Sequence, residues 1–297
     1  MATTLQSEFL QDTILILRKA IEMGRLEKQL FDYLSKPQRI TVVSIPVKVN
    51  GSISFFEGYR VQHNNALGPF KGGIRFHPEV TLEDDMALAT LMTLKNSLAG
   101  IPYGGAKGAV RVDPKSLNRQ ALEELSRGYA RALANVIGPE IDVPAPDVGT
   151  NPQIMAWMVD EYSKMVGRNA PATFTAKPVQ LWGNPVREYA TGFGVAVMAR
   201  ETWRELFKGD LTGVRVSIHG FGNTGQWAAY WADKFGAKVV AVADTSGTIY
   251  DPNGLSVAKA IKAKNETGKV VSYEGARRLA PQDALTVDAD VLMPSAI

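Results

Sequence analysis

The sequence predicts an α/β protein of two domains, and three observations lead to that class. The chain has 297 residues, enough for about two domains of ordinary size. Hydrophobic residues make up 45% and charged residues 21% of the chain, which is the balance of a protein that buries substantial cores. In the last third of the chain, helical and strand patterns alternate, and this alternation is typical of a parallel sheet built from βαβ units.

Composition excludes several classes of function. The formal net charge of +3 comes from 33 Lys and Arg against 30 Asp and Glu, which is too small to indicate a nucleic-acid or membrane surface. The absence of cysteine excludes disulfide frameworks and thiolate metal sites, and the presence of only three histidines argues against a histidine metal site. With no apolar run of membrane-spanning length and no signal-peptide pattern, we expect a soluble cytoplasmic enzyme.

The first domain combines helical patterns with one hairpin. Apolar residues at helical spacing predict an amphipathic helix over residues 5–26. Asn50-Gly51, placed between alternating apolar residues, predicts a β-hairpin. Further helices are predicted over residues 81–98, where Thr81 and Asp84 fit a capping box, over 118–137, and after Pro152.

A proline-rich stretch over residues 170–187 predicts the boundary between the domains, which we place after Asn184. Beyond it, helices are predicted over 191–207 and 226–235, and strands over 214–218 and 239–243. The final residues, 289–297, read as one more strand followed by its loop.

A glycine-rich turn marks the candidate dinucleotide site. Residues Gly220-Phe221-Gly222-Asn223-Thr224-Gly225 follow a predicted strand and open a predicted helix, and the next strand ends at Asp244. Glycines let the backbone approach a pyrophosphate, the helix N-terminus attracts its charge, and an acid about 20 residues further on can accept hydrogen bonds from the ribose. We predict a Rossmann-type site here. The alternative is a glycine-rich turn in an ordinary α/β domain.

Three lysines of the first domain are candidate site residues. Lys71 lies in Gly68-Pro69-Phe70-Lys71-Gly72-Gly73, Lys107 lies in Gly104-Gly105-Ala106-Lys107-Gly108, and Lys95 ends a predicted helix. Taken singly, most lysines are solvated surface groups. Flanking glycines allow a ligand to approach closely, two ammonium groups suit a dicarboxylate, and a third amine desolvated beside other cations can act as a base.

Asp147 is the candidate carboxylate. It follows Pro144 and Pro146, which hold the chain extended just before a predicted helix. One interpretation is that it satisfies free N–H groups at the start of that helix. The other is that it moves a proton at a reacting nitrogen.

At these residues the chain resembles the glutamate dehydrogenase family within the wider amino-acid dehydrogenases. The resemblance spans nearly the whole chain and is carried by Gly68-Pro69-Phe70-Lys71-Gly72-Gly73-Ile74-Arg75, Leu94-Lys95, Gly104-Gly105-Ala106-Lys107-Gly108, Pro144-Ala145-Pro146-Asp147-Val148-Gly149-Thr150, Ala190-Thr191-Gly192 and the dinucleotide turn. It implies that residues 1–184 bind substrate and build an oligomer, usually a homohexamer, and that residues 185–297 form a Rossmann dinucleotide-binding domain. It also implies that the chain lacks the C-terminal part of its relatives.

The resemblance implies a role for each candidate residue. Lys71 would bind the side-chain carboxylate of glutamate and Lys95 its α-carboxylate. Lys107 would be the catalytic base, Asp147 the proton shuttle, and Thr191 would contact the nicotinamide carboxamide. The implied reaction is the reversible oxidative deamination of L-glutamate to 2-oxoglutarate and ammonia.

Two alternatives to that function stay open. A dehydrogenase of aliphatic or aromatic amino acids would carry an apolar residue at the position of Lys71, so this lysine favours glutamate. A non-catalytic or regulatory nucleotide-binding paralogue is the other alternative. The intact set of lysines and Asp147 argues against it, whereas the short C-terminus argues for it.

The turn after the second strand of the dinucleotide domain favours NAD over NADP. It contains no Lys or Arg over Asp244-Thr245-Ser246-Gly247-Thr248. Asp244 can accept hydrogen bonds from the free ribose hydroxyls of NAD but would face a 2′-phosphate with like charge. Against this, Thr245 and Ser246 can donate to a phosphate, and a cation from elsewhere in the chain can reach it. We expect NAD, with NADP as the alternative.

Overall fold

A computed structural model describes residues 7–296 of the chain. The chain divides into two compact units, residues 1–184 and 185–297, and each is described by itself. Residues 5 and 6, where we predicted the start of the first helix, lie outside the described residues. No helix over residues 7–296 is long and apolar enough to cross a membrane.

Over residues 7–184, the first unit contains one five-stranded sheet and five α-helices. Its strands are β1 Arg39–Val49, β2 Ser52–Asn64, β3 Phe70–His77, β4 Gly105–Arg111 and β5 Asp142–Pro146. Its helices are α1 Glu8–Met23, α2 Lys28–Leu34, α3 Leu82–Leu98, α4 Arg119–Ala132 and α5 Pro152–Met165. The strand order is β1-β2-β4-β3-β5, antiparallel from β1 to β4 and parallel from β4 through β3 to β5.

The local signals in this unit are confirmed with one correction. Asn50 and Gly51 both have positive φ and join β1 to β2, as a two-residue hairpin turn requires. Thr81 and Asp84 form the expected capping box at the start of α3. Helix α4, however, ends at Ala132 rather than near residue 137, because the next bonds are i→i−3 turns such as Val136 N to Leu133 O.

The two faces of this sheet are covered by different helices. One face packs its apolar side chains against α4 and α5, around Ile74, Leu125 and Ile154. The other face lies under α3, where a Cβ at Gly105 would come within 2.2 Å of Thr93. Because side chains alternate along a strand, every second residue of β3 and β4 faces α3.

The second unit is a five-stranded sheet with the order β10-β6-β7-β8-β9. Its strands are β6 Arg215–His219, β7 Lys238–Asp244, β8 Gly247–Tyr250, β9 Arg277–Leu279 and β10 Val291–Pro294, and its helices are α6 Ala190–Phe207, α7 Asn223–Lys234 and α8 Val257–Thr267. The predicted parallel pairing is confirmed for β10, β6 and β7. The antiparallel strands β8 and β9 were not predicted, since strands of four and three residues are too short to show a periodic pattern.

Candidate active site

The alternation of side chains along β3 builds the first part of the site. Lys71, Gly73 and Arg75 share one face, and the residues between them are buried on the other. Lys107 on β4 lies on the same face as Gly73, because Ile74 pairs with Gly108 in the parallel register and the preceding residues of the two strands are therefore neighbours. Three cationic side chains thus stand on the face of the sheet that α3 covers.

Asp147 joins this cluster from the end of β5. Its Oδ2 accepts a hydrogen bond from Lys107 Nζ at 2.5 Å and another from Arg75 Nε at 2.9 Å. Lys107 is on β4 and Asp147 follows β5, so the aspartate side chain must pass over β3, which lies between them. Gly73 makes this passage possible, because a Cβ there would lie 2.8 Å from the Cβ of Asp147.

The electrostatics of the pair follow from burial. Lys107 is only 5% exposed, and this desolvation lowers its pKa although Asp147 acts in the opposite direction. Burial would raise the pKa of Asp147, but the contacts with Lys107 and Arg75 outweigh it and hold that pKa below its ordinary value. Asp147 is therefore ionised, and Lys107 is a lysine whose proton is less tightly held than usual.

Asp147 does not cap the following helix, so the first of the two interpretations of this residue is wrong. Asn151 is the N-cap of α5, and its side chain accepts the hydrogen bond from Ile154 N at 3.0 Å. Thr150 Oγ1 accepts a hydrogen bond from Asp147 N at 2.8 Å and donates to Ile74 O at 2.9 Å. The turn after β5 is thus tied to β3, which aims the carboxylate at the cations.

Lys71 and Lys95 differ in their surroundings. Lys71 Nζ donates to Val143 O and to Thr175 Oγ1, both at 3.0 Å. Lys95 is exposed in the last turn of α3, and its side chain makes no polar contact within residues 7–296. The neighbouring Asn96 is buried and donates to Gly104 O at 2.6 Å, so that this end of α3 is fixed to the loop that leads into β4.

A buried ion pair supports β3 from the sheet face opposite to Lys71 and Lys107. Arg60 on β2 is fully buried and makes a bidentate contact with Asp142, which is also fully buried. Gln62 donates to the same carboxylate at 2.7 Å. The Arg60 guanidinium also donates to the carbonyls of Gly72 and Gly73 at 3.4 Å. These bonds hold the middle of β3 from behind.

The dinucleotide turn in the second unit has the geometry that its sequence predicts. Gly220 has φ +98°, a conformation that glycine adopts without strain. Gly225 packs so closely that a Cβ would lie 1.8 Å from Gly220 O. Gly222 is the N-cap of α7 and forms no side-chain cap, and its open side faces no atom of the described residues within 4 Å. A pyrophosphate therefore fits against the free N–H groups of this helix.

The carboxylate of Asp244 has three protein partners, and the sequence did not show which residues they would be. Its carboxylate accepts hydrogen bonds from Lys264 Nζ at 2.6 Å and from the backbone N–H groups of Ser246 and Val270 at 2.7 and 2.9 Å. The Asp244 side chain is 7% exposed and that of Lys264 is 21% exposed. Lys264, on α8, supplies the cation that the turn itself lacks. Thr191, near the start of α6, is exposed and accepts a hydrogen bond from Arg187 at 3.3 Å.

Three charged residues of these two sites escaped the sequence reasoning. Arg75 was visible within the motif that contains Lys71, but nothing local indicated its pairing with Asp147. Lys264 lies 20 positions beyond Asp244 on a helix, and only the fold brings it back. Asp85, buried on α3, stood among consecutive acids Glu83-Asp84-Asp85, a pattern that ordinarily complements a helix dipole.

Comparison with known proteins identifies the family on both units. Residues 37–164 match the Glu/Leu/Phe/Val dehydrogenase dimerisation domain, and residues 183–297 match the Glutamate/Leucine/Phenylalanine/Valine dehydrogenase domain. The chain is 60% identical over 296 residues to an NADP(+)-dependent glutamate dehydrogenase of Pyrobaculum calidifontis, covering 98% of this chain and 70% of that protein. It is 43% identical over 286 residues to an NAD-specific glutamate dehydrogenase of Clostridioides difficile, covering 94% of this chain and 68% of that protein.

A solved structure gives the same result. The hetero-hexameric glutamate dehydrogenase of Thermus thermophilus, in a leucine-bound form, aligns with a TM-score of 0.89 and 38% identity over 100% of this chain and 71% of that one. The chain thus spans about 70% of the length of the P. calidifontis relative. On sequence and on structure, this chain belongs to the Glu/Leu/Phe/Val dehydrogenase family.

Proposed function

We propose that the protein catalyses the reversible, NAD(P)-dependent oxidative deamination of L-glutamate to 2-oxoglutarate and ammonia. The observation that carries this proposal is the contact of Lys107 with Asp147 on the sheet face that also bears Lys71 and Arg75. The relatives named above are glutamate dehydrogenases, one NADP-dependent and one NAD-specific, which supports the same reaction and both cofactors.

The cofactor chemistry is assigned to the second unit. The turn over 220–225 and the N-terminus of α7 would hold the pyrophosphate, Asp244 with Lys264 would face the adenosine ribose, and Thr191 would contact the carboxamide. The bound nicotinamide supplies a hydride acceptor in the direction of deamination. The remaining steps belong to side chains of the first unit.

Lys107 and Asp147 would divide the proton transfers between them. Hydride loss from the α-carbon leaves an iminium, and attack of water on that carbon requires a base. A buried lysine with a lowered pKa suits this role, because desolvation makes its neutral form easier to reach than that of an exposed lysine. Arg75 and Lys107 both donate to Oδ2 of Asp147, and its Oδ1 has no hydrogen-bond partner over residues 7–296. That second oxygen can exchange a proton with the departing nitrogen.

Lys71 and Lys95 would select the substrate by its two carboxylates. Lys71 is half-buried and already held by Val143 O and Thr175 Oγ1, so its amine is oriented before a side-chain carboxylate arrives. The exposed Lys95 would meet the α-carboxylate. An apolar amino acid brings no second carboxylate to the Lys71 ammonium, a loss that disfavours leucine or phenylalanine as substrate.

The proposal extends to assembly and location. The family's dimerisation domain matches residues 37–164, which supports oligomerisation through the first unit, and we propose a homohexamer that acts in the cytoplasm. Mass determination by light scattering distinguishes a hexamer from smaller assemblies.

Turnover of glutamate by wild type and Lys107→Ala tests the function. We expect wild-type turnover with NAD or NADP, and a fall in kcat of about 10³-fold or more in the variant while dinucleotide affinity is retained, since a positioned base contributes about 10² to 10⁴. Lys115→Ala, an exposed lysine, is the matched control. Dinucleotide binding by the wild type without turnover of any amino acid would favour the regulatory alternative instead.

A further inference from the structure

One buried carboxyl group near the site has no assigned role. Asp85 lies in the first turn of α3 and has 0% exposure. Neither of its side-chain oxygens has a hydrogen-bond partner over residues 7–296. Buried carboxyl groups are ordinarily paired or hydrogen-bonded, because an unpaired polar group in the interior is costly. Its retention there calls for an explanation.

The position of α3 directs this group at the site. Helix α3 covers the sheet face that carries Lys107 and Arg75, and Tyr59, Val80 and Ala109 form a small buried cluster beneath its start. Asp85 is within electrostatic range of Lys107, Arg60 and Arg75, which favour its ionised form, and of Asp147, which opposes it. Asp85 also helps to raise the pKa of Tyr59, a residue of β2 whose hydroxyl group contacts Glu57.

Helix α1 also packs on α3, and its buried residues are uncharged. The buried residues of α1 are Leu10, Thr13, Leu17 and Ile21. The cations that favour the ionised form of Asp85 are Lys107, Arg60 and Arg75 of the sheet. Burial raises the pKa of Asp85 to about 7, against the pull of those cations, and its charge accordingly changes near neutral pH.

We propose that Asp85 is a positioning residue that controls, through its charge, how firmly Lys107 holds its proton. When Asp85 is ionised, it stabilises the Lys107 ammonium across the interior. When Asp85 is neutral, the ammonium keeps its contact with Asp147 but loses the attraction of Asp85, and it gives up its proton more readily. The consequence for deamination rests on the proposed function, whereas the effect on the Lys107 amine does not.

Competitive acetylation of Lys107, followed by mass spectrometry across pH, tests this proposal without turnover. Only the neutral amine reacts, so the labelling rate reports the protonation of Lys107 in the full chain. In Asp85→Asn we expect Lys107 to label about tenfold faster than in wild type above about pH 8, the size of one charge acting across a partly buried site. Below about pH 6 the two rates should converge, since Asp85 is then protonated in the wild type.

The control is Glu83→Gln, which removes one negative charge two residues away on the same helix. It should leave the labelling of Lys107 unchanged. A merely structural effect of Asp85→Asn would alter labelling at all pH values alike, and that result would overturn the proposal, as would identical curves for wild type and Asp85→Asn. If labelling behaves as expected but no amino acid is turned over, the proposed function fails and the control of Lys107 stands.

Discussion

Cofactor choice can be tested on Lys264, which the fold brings to Asp244. The substitution Lys264→Met removes the cation and keeps most of the aliphatic stem. Over residues 7–296, Asp244 then retains its bonds to Ser246 and Val270 and presents a negative charge without a cationic partner to any phosphate on the ribose. We expect NADP to suffer more than NAD from this change.

The magnitude follows from the exposure of the amine. A hydrogen bond to a charged group contributes about 1.5–3 kcal/mol, and the Lys264 side chain is 21% exposed, so solvent screening favours the lower half of that range. At about 1.4 kcal/mol per factor of ten, the ratio of kcat/KM for NADP to that for NAD should fall about 10- to 30-fold.

Steady-state kinetics with both cofactors measures this ratio, and the same helix offers a control. Lys262 has a side chain that is 73% exposed and forms an ion pair with Glu266 at 3.8 Å, so Lys262→Met should leave the ratio unchanged. If Lys264→Met weakens both cofactors equally, the lysine serves the fold of the turn and does not read the phosphate. A ratio within twofold of wild type would refute the electrostatic argument.

Three further predictions concern the first unit. Lys71→Leu should reduce kcat/KM for glutamate by at least about 10²-fold, since a carboxylate loses its charged partner, and should improve norleucine relative to glutamate; an unchanged preference would mean that Lys71 does not read the side chain. The pKa of Asp85 is about 7 in the fold against 3.8 ordinarily. Its neutral form therefore adds about 4 kcal/mol to the free energy of unfolding below pH 4, and this contribution is lost as pH rises through 7. We expect Asp85→Asn to raise Tm at pH 8 but not at pH 4. Arg60→Met should lower the free energy of unfolding by about 3–5 kcal/mol in urea titrations, because Asp142 is left buried and unpaired, whereas a loss below 1 kcal/mol would show that the interior relaxes around it.

The candidate site was largely predictable because its chemistry is carried by local motifs. Glycines around Lys71 and Lys107 and prolines before Asp147 are visible in the sequence, and their joint order indicated one site. The partners that complete the site were not visible. Arg75 lies on β3 and its partner Asp147 follows the neighbouring strand β5. Their contact depends on the register of β3 against β5, which no local pattern specifies.

In the second unit, too, the local motifs were predictable from the sequence and the long-range contacts were not. The turn over 220–225 and the strand ending at Asp244 were predicted from spacing and are present. The turn after this strand contains no Lys or Arg, as predicted, and the cation that meets Asp244 comes from elsewhere in the chain, which was the open alternative. Lys264 reaches back from α8, and long-range contacts of this kind are the product of chain topology rather than of periodicity.

Gly73 has a consequence for how this protein tolerates change. The aspartate that meets Lys107 reaches it across a strand that offers no side chain at that point. The separation of these two residues is therefore set by the spacing of β4, β3 and β5 in the sheet. A single residue inserted into β3 between Lys71 and Gly73 would reverse the alternation of side chains on one side of it, so that Lys71 would no longer share a face with Arg75. Insertions in the surrounding loops leave those spacings intact. Sequence drift in this chain is therefore expected to lengthen or shorten its loops while β3 keeps its length to the residue.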